Sequence, residues 1–366
     1  MRRAAEKKFK YNSDAYEMLI AADEALGDFK FLETADFTTR LSKLVGYFTA
    51  EMKSGQDVEL VLRKLTNTIY SKAIPSVRDA IINNTDVDTQ FVVLFDNIDK
   101  GWPATGVENL DLKMIRMLLE ALVKIKQDFA SRGREFQSTV FLRNDIFELL
   151  IEQTPDRGKS GRSSIDWTDR QKLKQIIFRR LASAFGGKPN SFDEVWHSFF
   201  PVKVESVESF DFFVDHCLMR PRFLISIIEL AVANGINRGH GQVLEQDCID
   251  AVRQYAYSLM DDFGYEIRDV SGITADIMYA FVGSPQTMGS EAIVNLLVAS
   301  GIDKKDAEHA FSLMIWYGGL GVRRSDDSDI YIYDVEYKMK RMEAEMRRPD
   351  STGLFTINPA LYAALR

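Results

Sequence analysis

The chain has 366 residues, 46% hydrophobic and 27% charged, an ordinary globular composition with length for two or three domains. A formal net charge of −8 gives no overall attraction to nucleic acid or anionic membranes, so any such contact must come from a local patch. Two cysteines, Cys217 and Cys248, make neither a disulfide framework nor a zinc-ligand spacing, and no apolar run is long enough for a membrane span or a signal segment, so the expectation is a cytoplasmic protein without membrane contact.

Up to about residue 87 the pattern is helical, with apolar residues at three- and four-residue spacings in DAYEMLIAADEAL and LVLRKLTNTIYSKAIPSVRDAII. FVVLF, Phe91 to Phe95, is a short continuous apolar run that predicts a parallel strand buried on both faces. Leu110 to Phe129 predicts an amphipathic helix, and STVFLR, Ser138 to Arg143, predicts a second buried strand. Strand, helix, strand is one βαβ unit of a parallel sheet.

TPDRGKSGRSS, Thr154 to Ser164, is a basic Gly/Ser-rich loop and a domain boundary. From Trp167 to about Phe263 the helical candidates are DRQKLKQIIFRRLASAF, SVESFDFFVDHCLM, RFLISIIELAVANG and QDCIDAVRQYAYSLM. Asp166 reads as a helix N-cap, and Gly235 and Gly239 as helix stops. In the last hundred or so residues, ITADIMYAFV, GSEAIVNLLVAS and DKKDAEHAFSLMIWYG read as three short helices. GLGVRRSDDSDIYIYD then reads as a hairpin with an acidic tip and LFTI as a further strand, a winged-helix pattern.

The chemistry concentrates after the first strand, in DNID. A strand ending in acids places them at the carboxyl edge of the sheet, where α/β proteins bind ligands. Asp96 suits Mg²⁺, which is held largely through water, and Asp99 is the nearest carboxylate for orienting an attacking water, since Asn97 fills the adjacent position. The plain alternative is a turn in which Asp and Asn cap the next element. Arg143, which ends the second strand, suits a γ-phosphate; an ion pair with Asp145 or Glu148 is its alternative.

The order VVLFDNIDKGW, TVFLRNDIFELL, SIDWTDRQKL, MRPRFLISIIELA and a C-terminal winged helix resembles a P-loop ATPase of the STAND and origin-recognition branch of the AAA+ class. More narrowly it is similar to a bacterial family with a DNxDxGW Walker B segment, over about residue 88 to the C-terminus. The resemblance implies an α/β, mainly helical fold. Residues 1–155 would be a partial P-loop NTPase core, 156–265 a helical lid and 266–366 the winged helix. It implies that Asp96 is the Walker B magnesium residue, Asp99 a water-activating residue and Arg143 the sensor-1 arginine. Pro221 and Arg222 would be the lid residues that meet adenine and phosphate, with Arg220 the alternative sensor 2.

A P-loop needs glycines, lysine and Ser/Thr to cradle phosphate. No GxxxxGK[ST] occurs here; the one GKS, Gly158 to Ser160, has Gln153 where the first glycine belongs and follows the sensor strand. Two readings stay open: a P-loop encoded upstream, which is the expectation, or a natural form that does not hold nucleotide by itself. The resemblance then implies a nucleotide-dependent switch, with ATP and Mg²⁺ as cofactors, ATPase activity once a P-loop is supplied, and a homo-oligomer as one state. The alternatives are a nucleotide-free scaffold and a binding module whose winged helix meets a protein partner or DNA. Arg323, Arg324, Lys338, Lys340, Arg341, Arg347 and Arg348 favour DNA, while the SDDSD tip, Glu343 and Glu345 oppose it, so a protein partner is preferred. The four histidines show no ligand-like spacing.

Overall fold

A computed structural model describes residues 74–83, 88–98, 109–152, 163–184 and 191–366, with a few isolated positions besides. Most of DAYEMLIAADEAL and of LVLRKLTNTIYS, together with Asp99, Gly101, Trp102 and TPDRGKSGR, lie outside the described residues. The described chain is α/β and mainly helical, with small sheets. It divides into two compact units: one takes the described residues up to Ile98 with Lys113–Leu142, the other those from Arg143 onward with the first turn of the helix that starts at Asn109.

In the first unit, α1 (Ile74–Asn83), β1 (Gln90–Phe95), α2 (Asn109–Ser131) and β2 (Glu135–Val140) follow in order. The strands pair in parallel from Gln90↔Glu135 to Phe95↔Val140, and the Phe141 N–H donates to the Phe95 carbonyl at 2.8 Å. Leu122 and Phe129 from α2, Ile82 from α1 and Phe136 from β2 form the core, with Phe91 edge-on to Phe129 at 5.3 Å. Arg132 pairs with Asp79 at 2.6 Å and Arg78 with Asp128, tying α1 to the end of α2.

Two expectations change here. The second strand begins and ends three residues earlier than STVFLR, leaving Arg143 in the turn before the next helix. β1 is not buried on both faces: Val92 and Leu94 are 59% and 61% exposed, because α1 and α2 cover only the Phe91, Val93 and Phe95 side among the described residues.

The second unit opens with α3 (Asn144–Glu152), α4 (Arg170–Ala184) and α5 (Phe192–Phe199). The N-cap of α4 is Asp169, not Asp166; its Oδ1 accepts from the Gln171 N–H at 2.8 Å. On α5, fully buried Trp196 stacks on Phe200 at 4.0 Å, with Phe192, Phe210 and Phe213 around it, and its indole N–H donates to Ser209 at 2.8 Å. The segment read as one helix from Ser206 to Met219 is instead a tight hairpin, β3 (Lys203–Val204) with β4 (Val207–Glu208), and a short α6 (Ser209–Asp215). Glu205 and Ser206 turn with positive φ, and Glu208 starts α6 by accepting from the Phe210 and Asp211 N–H groups.

α7 (Pro221–Asn237) continues through Gly235 and ends at Gly239, where φ is +73° and glycine carries no Cβ penalty. α8 (Glu245–Ser271) extends well beyond the predicted helix to Gly272, in left-handed conformation. A 3₁₀ turn (Ala275–Phe281), β5 (Thr287–Gly289), α9 (Ser290–Ala299), α10 (Lys304–Trp316), β6 (Leu320–Arg324), β7 (Asp329–Ile330), a second 3₁₀ turn (Ile332–Val335), α11 (Met339–Met346), β8 (Ser351–Ile357) and α12 (Pro359–Tyr362) follow. The strands form an antiparallel sheet in the order β5–β8–β6–β7, a winged-helix arrangement whose wing carries α11 between β7 and β8. The acidic-tipped hairpin and the LFTI strand are both present.

One core runs from Leu173 to Leu365, so the helical segment and the winged helix share it. α8 is the common wall, and at Gly264 it approaches the next segment so closely that a Cβ would sit 1.9 Å from the Ala275 carbonyl oxygen. Gly264→Ala is expected to force α8 and the Ala275 turn apart. It should lower stability by about 2–3 kcal/mol in urea unfolding, with the two segments still unfolding together.

Candidate functional site

Asp96 follows β1 directly and is exposed, with its Oδ1 accepting from the Asn97 N–H at 2.9 Å. Asn97 has φ +57°, a left-handed conformation that Asn tolerates better than most residues. The Asp-Asn pair therefore shapes a tight turn at the strand's carboxyl end while the carboxylate stays open to solvent. One carboxylate combined with water and phosphate oxygens is the ordinary way Mg²⁺ is held, so Asp96 fits as its protein ligand. Among the described residues no group of three His, Cys, Asp or Glu side chains forms a metal cage.

The predicted arginines fall in the second unit. Arg143, just before α3, donates from Nη2 and Nε to the two oxygens of Asp145 at 2.6 and 3.2 Å. Asp145 is only 7% exposed; its Oδ1 also accepts from the Ile146 N–H at 2.9 Å, and its Oδ2 from the Tyr317 hydroxyl at 2.6 Å. Tyr317 sits at the end of α10, 172 residues away in sequence. Arg220, the N-cap residue of α7, makes a two-armed pair with Glu266 of α8 at 2.5 and 2.9 Å. Pro221 occupies the first turn of α7, where its missing N–H has no cost, and Arg222 is exposed.

Electrostatics couples the two pairs. Burial works against the charge on Arg143, but Asp145 outweighs it, with Tyr317 and Glu266 adding, and holds the guanidinium above its ordinary value. Arg220 is raised against burial in the same way, chiefly by Glu266. Burial first, then Asp145, pushes the Tyr317 hydroxyl up, so it remains a donor. A cavity of about 1200 Å³ opens beside these groups, lined among others by Asp145, Arg220, Trp167, Trp316, Tyr337 and Arg341.

Several buried titratable groups outside these pairs have structural surroundings. Burial pushes both cysteine thiols up to about 12, so neither is a nucleophile at neutral pH. His216 gives its Nδ1 to the Phe212 carbonyl at 2.7 Å and lies against the Phe212 ring, and burial lowers its pKa. Fully buried Asp247 receives Arg238 and His240, both at 2.7 Å, and the Leu244 N–H at 2.9 Å. Burial opposes its charge, but those hydrogen bonds win and hold it below the usual carboxylate range, fixing the start of α8.

In the wing, Arg323 pairs with Asp329 at 2.8 Å, Arg324 with Glu345 and Asp350, and Arg348 with Asp350 at 3.0 Å. The sequence flagged Asp145 as a partner for Arg143 but gave no signal for Tyr317 or Glu266, whose roles come from tertiary proximity. No described helix is long and apolar enough to cross a membrane.

A family model described as a FunZ-associated C-terminal helical domain matches residues 171–264, from the second residue of α4 into α8. No curated protein and no solved structure matches the chain.

Arg220→Gln would leave Glu266 about three-quarters buried without its guanidinium. A loss of roughly 2 kcal/mol is expected in chemical denaturation, with part recovered in Arg220→Gln/Glu266→Gln, since removing both charges costs less than stranding one.

Proposed function

We propose that the chain is the responsive part of a nucleotide-dependent switch of the STAND/AAA+ kind. The observation that carries this reading is the parallel, in-register pairing of β1 with β2. Each strand is followed at its carboxyl end by the residue type that phosphate chemistry needs: Asp96 one residue past β1, and Arg143 three residues past β2. In an ATPase of this kind the two strands are followed along the chain, in this order, by a metal-holding acid and a phosphate-sensing arginine, which is what supports the reading.

In this reading Asp96 orients the water shell of Mg²⁺, Asp99 accepts a hydrogen bond from the attacking water, and Arg143 takes charge from the transferring phosphoryl group. Mg²⁺, when bound, neutralises charge on the phosphate oxygens. Arg222, exposed on the first turn of α7, is the better placed of the two lid arginines for an incoming phosphate, because Arg220 already has Glu266. The phosphate cradle would come from a P-loop, which these 366 residues do not contain. A second reading, a nucleotide-free scaffold, is supported by Asn97 standing where the usual adjacent acid would be.

ATP turnover by the protein expressed from its complete natural reading frame decides between them. The switch reading expects Mg²⁺-dependent hydrolysis that falls about a hundredfold or more in Asp96→Ala. Turnover that is absent, or indifferent to Asp96, supports the scaffold instead.

For the winged helix, a protein partner is favoured over DNA because Arg323, Arg324 and Arg348 already hold carboxylates within the fold. Affinity for duplex DNA is expected to be weak, with a shallow dependence on salt in a titration from about 50 to 200 mM. A steep slope would instead count phosphate contacts and move the assignment to DNA.

A further inference from the structure

We propose that Arg143, Asp145 and Tyr317 form a latch, in which the arginine that senses phosphate also holds the corner between α10 and β6 through the carboxylate between them. The proposal rests on the switch reading and names the contact through which that switch acts.

The Asp145 carboxylate is saturated by four donors: Arg143 Nε and Nη2, the Ile146 N–H and the Tyr317 hydroxyl. Asp145 is only 7% exposed, and among the described residues Arg143 is the only cation paired with it. A guanidinium fork fits a carboxylate and a phosphate in the same two-armed geometry, so Arg143 cannot hold both with the same edge. When an anionic phosphate takes that edge, Asp145 is left charged and buried without a counter-charge, which is unfavourable enough to force rearrangement. The rearrangement has to pass through the Tyr317 hydroxyl bond, because Tyr317 shares Oδ2 with Arg143.

Tyr317 stands at the junction where α10 turns through Gly318, φ +78°, into β6. Loosening its tether therefore acts on the last turn of α10 and the first strand of the wing. Glu266 is electrostatically coupled to both Arg143 and Tyr317, and it holds Arg220 through both arms of the guanidinium. Phosphate capture is thereby converted into freedom of the α10–β6 corner.

Hydrogen exchange of amides 304–324 in the full chain tests the latch first without nucleotide. Tyr317→Phe and Arg143→Gln are each expected to speed exchange there about tenfold, and the double variant no further, because both break one relay. Arg143→Lys, which keeps the charge but loses the fork, should fall between. Multiplying effects in the double variant, or a Tyr317→Phe protein that exchanges like wild type, overturn the latch.

ATP with Mg²⁺, added to the protein expressed from its complete natural reading frame, then tests release, with binding read separately by calorimetry. Bound ATP should speed exchange of the same amides in wild type and add nothing in Tyr317→Phe. ATP that binds while exchange at 304–324 stays unchanged overturns the latch alone. If no protein in the series binds ATP, the switch reading and the release fall together, and the tether is judged by the nucleotide-free cycle.

Discussion

The second unit depends on the close packing of α8. A 27-residue helix with ten buried residues presents apolar surface to α7 on its earlier turns and to the winged-helix elements on its later ones. Gly264 lets the Ala275 backbone come closer than any side chain would permit, which pins the start of the winged helix to the end of the helical segment. The two therefore share one interior, and a close-packed interior does not deform smoothly. Any response to a ligand inside this unit has to occur where packing gives way to polar contacts. The Tyr317 corner is such a place: its ring is buried against Phe263 at 6.2 Å, while its hydroxyl holds a charged group.

The first unit has a different balance. Two parallel strands with helices on one face make a minimal sheet, and parallel sheets are ordinarily covered on both sides. Phe91, Val93 and Phe95 meet the α1–α2 core, while Val92 and Leu94 face away from it and are exposed. α2 repeats the theme: Leu122 and Phe129 are buried, but Met114, Met117 and Ile125 are exposed at helical spacing. The strand edge that carries Asp96 thus belongs to a unit whose described residues bury only one side of their apolar surface.

The local patterns were legible in the sequence. The βαβ order, the amphipathic α2, the long helical middle and the acidic-tipped hairpin all follow from apolar periodicity and turn residues. The structure departs from those patterns where a different force decides. Ser206 to Met219 has helical periodicity, yet positive φ at Glu205 and Ser206 and the capping carboxylate of Glu208 make a hairpin and a shorter helix. FVVLF has the composition of a strand buried on both sides, but composition does not say what lies over each face. Gly235 has the composition of a helix stop, but α7 continues through it and uses its small size, with Asp247 Oδ2 3.4 Å from where a Cβ would be. For the candidate site, the sequence offered the arginines and one partner. The contacts that give them meaning join residues 46 and 172 positions apart, a separation at which no periodicity operates.

The same chemistry recurs at Arg143–Asp145, Arg220–Glu266 and Arg238–Asp247, yet the three pairs differ in what they can do. Asp247 has a second partner in His240 and a backbone donor from Leu244, so losing any one contact leaves it partly satisfied; it is built to stay. Glu266 is answered by one arginine through both arms, a pair that stands or falls as a unit. Asp145 combines a single counter-ion with deep burial and a neutral hydroxyl from a distant element. Removing charge from that position therefore disturbs more than the pair itself, because the hydroxyl cannot replace the arginine and the carboxylate cannot remain alone. That asymmetry makes Arg143–Asp145 the pair of the three whose loss reaches furthest, because it also loosens a hydroxyl contact to a distant element.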